Sequence, residues 1–122
     1  MKFLIVDDSA AMRRCIKELL PATAQAVECR DGSEALLAFA AHLPDWVLMD
    51  VHMKPMDGLS AAEKLRAVWP QAKIIFVTSH DQPRFRQAAL QLKVEGYVLK
   101  DNLDQINQII SAASAAKPTP LL

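Results

Sequence analysis

Glycine is scarce in this 122-residue chain. Three residues, Gly32, Gly58 and Gly96, stand where an average sequence of this length carries about eight or nine. They lie far apart. A dinucleotide fingerprint or a phosphate-cradling P-loop needs two or three glycines within one short loop, so neither is present. A charge excess of either sign is also missing, because 14 Lys and Arg offset 14 Asp and Glu. Without a basic surplus the chain has little to neutralise a run of phosphates, which argues against direct nucleic-acid binding and against an anionic membrane surface. No apolar run approaches membrane-spanning length. The opening MKFLIVDD stops being apolar at Asp7 and Asp8, far too early for the hydrophobic region of a signal peptide. The only two cysteines, Cys15 and Cys29, form no CxxC pair and have no neighbouring His. They are expected to be reduced, core-filling thiols of a cytoplasmic protein, without a disulfide or metal role.

What the chain does have is apolar bulk: 52% hydrophobic residues, enough for one domain with a single core. Short apolar runs alternate with longer stretches of helical period. The runs are Phe3–Val6, Val27–Cys29, Trp46–Met49, Ile74–Val77 and Tyr97–Leu99. Most are continuously apolar and rich in Val, Ile and Leu, as strands buried on both faces should be. Between them, Met12, Cys15, Ile16 and Leu19 recur at helical spacing with Arg13, Arg14, Lys17 and Glu18 on the other side. A second helix is expected from the entry signal Asp31-Gly32-Ser33-Glu34 to Leu43, and a third from Leu59 to Trp69, before Pro70. A fourth opens at Asp81-Gln82-Pro83, and a fifth runs from Leu103 to about Ala116. Strict alternation of strands and helices implies a parallel sheet covered on both faces, because parallel strands need crossover connections.

The polar residues that end these runs carry the main signal. Run one ends in Asp7-Asp8, run three in Asp50, run four in Thr78-Ser79 and run five in Lys100. All fall on the carboxyl edge of the sheet, where open α/β folds place their sites. Each alone has a plainer reading: a solvated loop, a helix cap or a snorkelling surface lysine. Together they define a chemistry. If strands one and three are neighbours, Asp7, Asp8 and Asp50 converge, and two carboxylates about 4 Å apart repel by roughly 4 kcal/mol at an effective dielectric near 20. Such a cluster takes up a proton or a hard cation, and all-oxygen ligands suit Mg²⁺ or Mn²⁺. Lys100 adds a fixed positive charge and Thr78 a hydroxyl donor. Carboxylate, metal, lysine and hydroxyl together suit the holding of a phosphoryl group on an aspartate, by nucleophilic catalysis at phosphorus.

The segments IVDDSAAMRR, VLMDVHMKPMDG, IIFVTSH and GYVLK, in this order and spacing, resemble the receiver domain of bacterial two-component response regulators over nearly the whole chain. The resemblance implies a (βα)5 doubly wound, flavodoxin-like α/β fold, its five-stranded parallel sheet in order 2-1-3-4-5. Residues 1–116 would form the receiver and 117–122 a tail or the beginning of a linker, Lys117-Pro118-Thr119-Pro120 suiting either. It also implies that Asp50 is the phosphoacceptor. Asp8 and Asp50 would bind Mg²⁺ (or Mn²⁺) through their side chains, His52 through its backbone carbonyl and Asp7 mainly through a metal-bound water. Thr78 and Lys100 would contact the phosphoryl oxygens, and Tyr97 would be the aromatic whose rotamer follows Thr78. The donor would be a sensor histidine kinase or phosphotransfer protein, and the output a change of the surface formed by helix four, strand five and helix five. That surface would engage an effector or a second copy; Arg84, Phe85 and Arg86 together with Glu95, Asp101, Asp104 and Gln105 read either as its mixed-charge partner face or as a merely solvated one. Such a domain is not an enzyme beyond its own phosphorylation and dephosphorylation.

The chain departs from the family pattern in three places. Lys54-Pro55 stands where Pro usually follows the Met of the third-strand loop, which predicts a shifted loop. Asp101 replaces the Pro after the strand-five Lys, which predicts a trans or strained Lys100–Asp101 bond. Lys93-Val94 replaces a Gly-Ala pair. The Leu-Lys-Asp ending occurs in receivers that precede helix-turn-helix domains, and so hints at transcriptional regulation. His52 and His80, each two residues beyond a site residue, read either as exposed loop side chains or as groups flanking the phosphoryl group and tuning its hydrolysis. Alternative readings are a receiver used as a phosphorylation-independent binding module, a haloacid-dehalogenase-like phosphatase and a flavodoxin-like cofactor carrier. Asp50-Val51-His52 lacks the second Asp the phosphatase needs, and the acidic Asp7-Asp8 loop disfavours flavin phosphate.

Overall fold

The computed structural model describes residues 1–115; Ala116 and the Lys117–Leu122 tail lie outside the described residues. Five strands, β1 (Lys2–Val6), β2 (Gln25–Cys29), β3 (Trp46–Met49), β4 (Ile74–Thr78) and β5 (Gly96–Leu99), alternate with five helices. These are α1 (Ala10–Leu19), α2 (Gly32–His42), α3 (Gly58–Val68), α4 (Pro83–Leu92) and α5 (Gln105–Ala115). The sheet is parallel throughout, in order β2-β1-β3-β4-β5, as expected.

The continuous apolar runs follow from the two-period of the strands, whose successive side chains enter opposite layers. Leu4, Val6, Val47, Met49, Ile74 and Phe76 pack with Phe39 of α2, Ala61 and Leu65 of α3 and Ala89 of α4. Their alternates Phe3, Ile5, Trp46, Leu48, Ile75 and Val77 pack with Ile16 of α1 and Ile106 of α5. The central strands therefore have no solvent face and no place for a polar residue until they end. β2, at the sheet edge, is only half covered, which is why Gln25 and Ala26 still belong to the strand although the apolar run begins only at Val27.

Helix starts are capped by the expected side chains. Ser9 Oγ accepts from the Met12 amide, Asp31 from the Ser33 and Glu34 amides, and Asp57 from the Ser60 amide. α4 begins with Pro83 at its first turn and has no side-chain cap at Gln82. α5 begins at Gln105, two residues beyond Leu103, which instead packs against the core from the preceding turn.

One expectation is corrected. Cys15 is exposed and fills no core, because α1 turns Ile16 inward and leaves its neighbour on the outer side; only Cys29 is buried. None of the three glycines has positive φ; among the described residues the left-handed positions are taken by Leu43 and Lys93. Gly58 and Gly32 are needed instead for close approach. A β-carbon on Gly58 would stand 2.0 Å from the Asp50 carbonyl oxygen, and one on Gly32 would stand 2.9 Å from Ala61 Cβ and from the Met56 carbonyl oxygen. The Lys100–Asp101 bond is trans, and the one cis bond among the described residues is Lys54–Pro55.

Candidate functional site

The strand order brings the ends of β1 and β3 side by side, with β4 and β5 following, so the residues after these strands meet at one edge. Asp7 continues the β1–β2 ladder by one hydrogen bond, its amide donating to the Cys29 carbonyl, while the Asp50 amide donates to the Val6 carbonyl. Both side chains are drawn inward, with Asp7 1% and Asp50 5% exposed; Asp8 points to solvent. One carboxylate oxygen from each of Asp7, Asp8 and Asp50 lies within 4.8 Å of the others. Lys100 is anchored by its amide on the Thr78 carbonyl and extends Nζ to 3.0 Å from Asp7 Oδ2 and 3.2 Å from Asp50 Oδ2.

The bonding is incomplete. Asp7 Oδ1 accepts from the Ser9 amide at 2.9 Å, and Asp50 Oδ1 accepts from the His52 amide at 3.3 Å. Asp7 Oδ2 pairs with Lys100 by charge but at an angle that makes no hydrogen bond, so a fully buried carboxylate oxygen keeps an unfilled lone pair. Burial and the Asp7 charge push the Asp50 carboxyl above its ordinary value, with Lys100 offsetting only part. Burial alone would pull Lys100 down, but its contact with Asp7 and the charge of Asp50 outweigh this and hold it up, charged. Two buried carboxylates and an exposed third thus share one ammonium. A hard dication suits this donor set, all oxygen and short of positive charge.

Thr78 is wholly buried, and its Oγ1 accepts from the His80 amide at 3.2 Å, which leaves the hydroxyl proton free to be donated. The Tyr97 hydroxyl donates to the His80 carbonyl at 2.6 Å. Burial raises its phenol above the ordinary value, partly countered by Arg86, whose guanidinium lies 4.7 Å above the ring. His80 therefore links Thr78 to Tyr97 through its two backbone groups. Its ring packs against that of His52 with centroids 3.9 Å apart and planes tilted by 48°, and Phe85 meets His52 nearly at right angles at 4.8 Å.

Asp7, Asp8, Asp50, Thr78 and Lys100 meet at this edge with His52, His80 and Tyr97 beside them, whereas Glu95 lies at the amino end of β5. Asp57, also acidic, caps α3 instead. Two participants escape the sequence reading. Phe85 serves the histidine pair, and Arg13 Nη1 donates to the Asp7 carbonyl at 2.7 Å. Arg13 was legible only as the polar face of α1; the clue to more is its place one turn into a helix whose side chains lean back toward the preceding loop.

The sheet order and the polar edge place the chain among doubly wound, flavodoxin-like α/β domains with a site beside the switch in strand order. Residues 3–112 match the family model described as the response regulator receiver domain, and the chain belongs to that family, a signalling module of two-component systems. It is 34% identical over 101 residues to the chemotaxis protein CheY of Bacillus subtilis (strain 168), which covers 81% of this chain and 84% of that protein. It is 37% identical over 75 residues to the "Probable transcriptional regulatory protein NarL" of Mycobacterium tuberculosis (strain ATCC 25618 / H37Rv), which covers 62% of this chain and 35% of that protein. A crystal structure of a LuxR-family two-component response regulator from Aurantimonas sp. SI85-9A1 matches with a TM-score of 0.85 at 27% identity, covering 93% of this chain and 84% of that one. The chain thus spans most of the chemotaxis relative but about a third of the one named as a transcriptional regulator. No described helix is long and apolar enough to cross a membrane.

Proposed function

We propose that this receiver accepts a phosphoryl group on Asp50 and signals through the α4–β5–α5 surface. The observation that carries the reading is the convergence of three carboxylates within 4.8 Å around one lysine, with a buried oxygen of Asp7 accepting no hydrogen bond. Asp8 and Asp50 would hold Mg²⁺ or Mn²⁺ by side chains, with the His52 carbonyl and a water held by Asp7 completing the set. Bound there, the ion supplies positive charge against the phosphoryl oxygens. A carboxylate oxygen of Asp50 forms the new O–P bond as the P–N bond of a phosphohistidine donor breaks, the electron pair leaving on the imidazole nitrogen. Lys100, held charged, counters the charge on the transferred group, and the free Thr78 proton is donated to one of its oxygens.

The same geometry couples the site to the surface. A Thr78 hydroxyl drawn toward Asp50 gives up the His80 amide, and His80 carries the carbonyl that holds Tyr97. Tyr97 and Arg86 then present a changed α4–β5 face to an effector or a second copy. The donor is a histidine kinase or phosphotransfer protein, residues 1–116 are the switch, and 117–122 a tail or linker. Transcription is one output, by analogy with the relative whose name states it. The exposed, paired rings of His52 and His80 lie where they would screen the acyl phosphate from water.

The test is incubation with Mg²⁺ and a small acyl phosphate, read by intact mass, alongside beryllofluoride binding read by amide NMR. Both responses are expected in the wild type and lost in Asp50→Asn. A folded protein that shows neither would instead be a binding module whose surface works without phosphate.

A further inference from the structure

We propose that Arg13, braced by Glu28, is a positioning residue that sets the acidic edge for its divalent cation. The inference rests on the reading of Asp7, Asp8 and Asp50 as that cation's ligands and extends it to a pair outside the cluster.

Arg13 lies one turn into α1, and its side chain is only 13% exposed. Helical side chains lean toward the helix N-terminus, which carries this guanidinium back over the loop from which the helix starts. Its Nη1 donates to the Asp7 carbonyl oxygen at 2.7 Å. The β1–β2 ladder ends at that residue, with the Asp7 amide on the Cys29 carbonyl, so the Asp7 carbonyl finds its donor in Arg13. Asp7 is then held at three points: its amide by β2, its carboxylate by the Ser9 amide and its carbonyl by Arg13.

The third point matters most for Asp8. The Asp7 carbonyl belongs to the peptide plane that leads into Asp8, and fixing that plane fixes the direction in which Asp8 leaves the backbone. Asp8 is exposed, so its carboxylate depends on the backbone before it for its register with Asp7 and Asp50. Rotation of that plane would swing one ligand away while the fold stayed intact.

Glu28 supplies what the arginine alone would spoil. A bare guanidinium beside three carboxylates would repel an incoming dication. Glu28 Oε1 accepts from Arg13 Nε at 3.0 Å, and its second oxygen lies 3.7 Å from Lys17 Nζ. The carboxylate both aims the guanidinium and offsets its charge, so Arg13 contributes geometry with little opposing field. Arg13 can do this because its fork donates to two partners at once; a lysine has one nitrogen to share between them.

The test is Mn²⁺ titration followed by the electron paramagnetic resonance signal of the free ion, on the wild type, Arg13→Met, Arg13→Lys and Glu28→Gln, with melting of each metal-free variant measured separately. Partners outside the ligand shell are worth about 10-fold or more in metal affinity, and a loss of that size is expected for Arg13→Met. Arg13→Lys should recover part of it, and Glu28→Gln should weaken binding while the amide NMR signal of Asp8 stays near its wild-type position. Arg13→Met with affinity within about twofold of wild type overturns the proposal. Should that variant fail to fold, Glu28→Gln decides, and unchanged affinity there overturns it equally. Wild-type protein that binds no Mn²⁺, or binds it as well after Asp50→Asn, overturns the ligand assignment itself, a result distinct from a wild type that binds and an Arg13 variant that does not differ.

Discussion

Gly58→Ala adds a single methyl group, yet it should be among the most damaging substitutions in this fold. The added carbon would stand 2.0 Å from the Asp50 carbonyl oxygen, 2.9 Å from its carbonyl carbon and 3.0 Å from Val51 Cα. Ordinary contact begins near 3.4 Å, so the shortest of these is more than an ångström too close, and all three neighbours are backbone. Overpacking costs about 1–3 kcal/mol where side chains can rearrange, and more where they cannot. Here relief means parting the start of α3 from the end of β3, where the Gly58 amide donates to the Val51 carbonyl at 2.8 Å. A cost of at least ~3 kcal/mol follows. Alanine's better helix propensity returns at most about 1 kcal/mol. At roughly 4 °C per kcal/mol for a domain of this size, the melting temperature should fall by about 8 °C or more. Because the oxygen struck is that of Asp50, beryllofluoride binding should weaken as well. Gly96→Ala is the internal control. Its added carbon meets the terminal methyl of Ile109 at 2.5 Å, which can rotate away, and nothing else closer than 3.5 Å. Thermal melts by circular dichroism decide the matter. A Gly58→Ala protein within about 2 °C of wild type, or a Gly96→Ala protein that falls as far, would refute the steric reasoning.

Without metal, Asp50→Asn should raise the melting temperature at pH 7, because burial and Asp7 lift the Asp50 carboxyl and make its ionised form a penalty to the folded state. That penalty is fully present above the raised value and fades as pH falls from there to the ordinary carboxyl value, so the gain should shrink across that window; a variant less stable than wild type at pH 7 would show that the Lys100 pairing outweighs burial. Saturating Mg²⁺, about 100 times its dissociation constant, should then stabilise the wild type by ~2.7 kcal/mol and leave the variant unmoved. Alkylation of the native protein at pH 8 should mark exposed Cys15 and spare Cys29, whose thiol is pushed up to about 11 by burial and by Glu34 and Asp31; equal labelling of both would count against a closed core. His52→Ala and His80→Ala should each shorten the acyl-phosphate lifetime several-fold, and unchanged lifetimes would remove the paired rings from any screening role.

The parts of this molecule that could be read from the chain are those where local rules and tertiary demand agree. Phe3–Val6 and Ile74–Val77 are unbroken apolar runs because both layers of the fold press on them, and the polar residue that ends each run marks the sheet edge. Asp7, Asp50, Thr78 and Lys100 were legible for that reason, with no contact known. Cys15 was misplaced because a four-residue helical pattern does not say where on the helix the buried stripe is centred; α1 rotates it toward Ile16. The need for glycine at 32 and 58 could not be read, because approach between α2, α3 and the third strand's loop leaves no mark on local sequence. The contacts of Arg13 with Asp7 and of Phe85 with His52 could not be read for the same reason, since each reaches across the fold to a residue whose position only the packed structure defines.

The candidate site is therefore a place where the sheet concentrates a charge imbalance that its core cannot relieve. Asp7 and Asp50 are almost fully buried, yet Lys100 alone answers both, and Asp8 adds a third negative charge at the rim. Pairing with Lys100 keeps the fold together but cannot neutralise the cluster, and burial makes what is left over more expensive than it would be in water. A cation that enters removes that residual cost, so the same imbalance that weakens the empty fold sets its affinity for the ion. Under the proposed function, phosphoryl transfer to Asp50 would alter the balance again by placing new negative oxygens beside Lys100 and Thr78. Both could donate to those oxygens, but Thr78 is the one whose oxygen also accepts from the His80 amide, and His80 holds Tyr97. In that reading the charge event and the movement of the surface would be joined at the Thr78 hydroxyl, which is wholly buried at this edge.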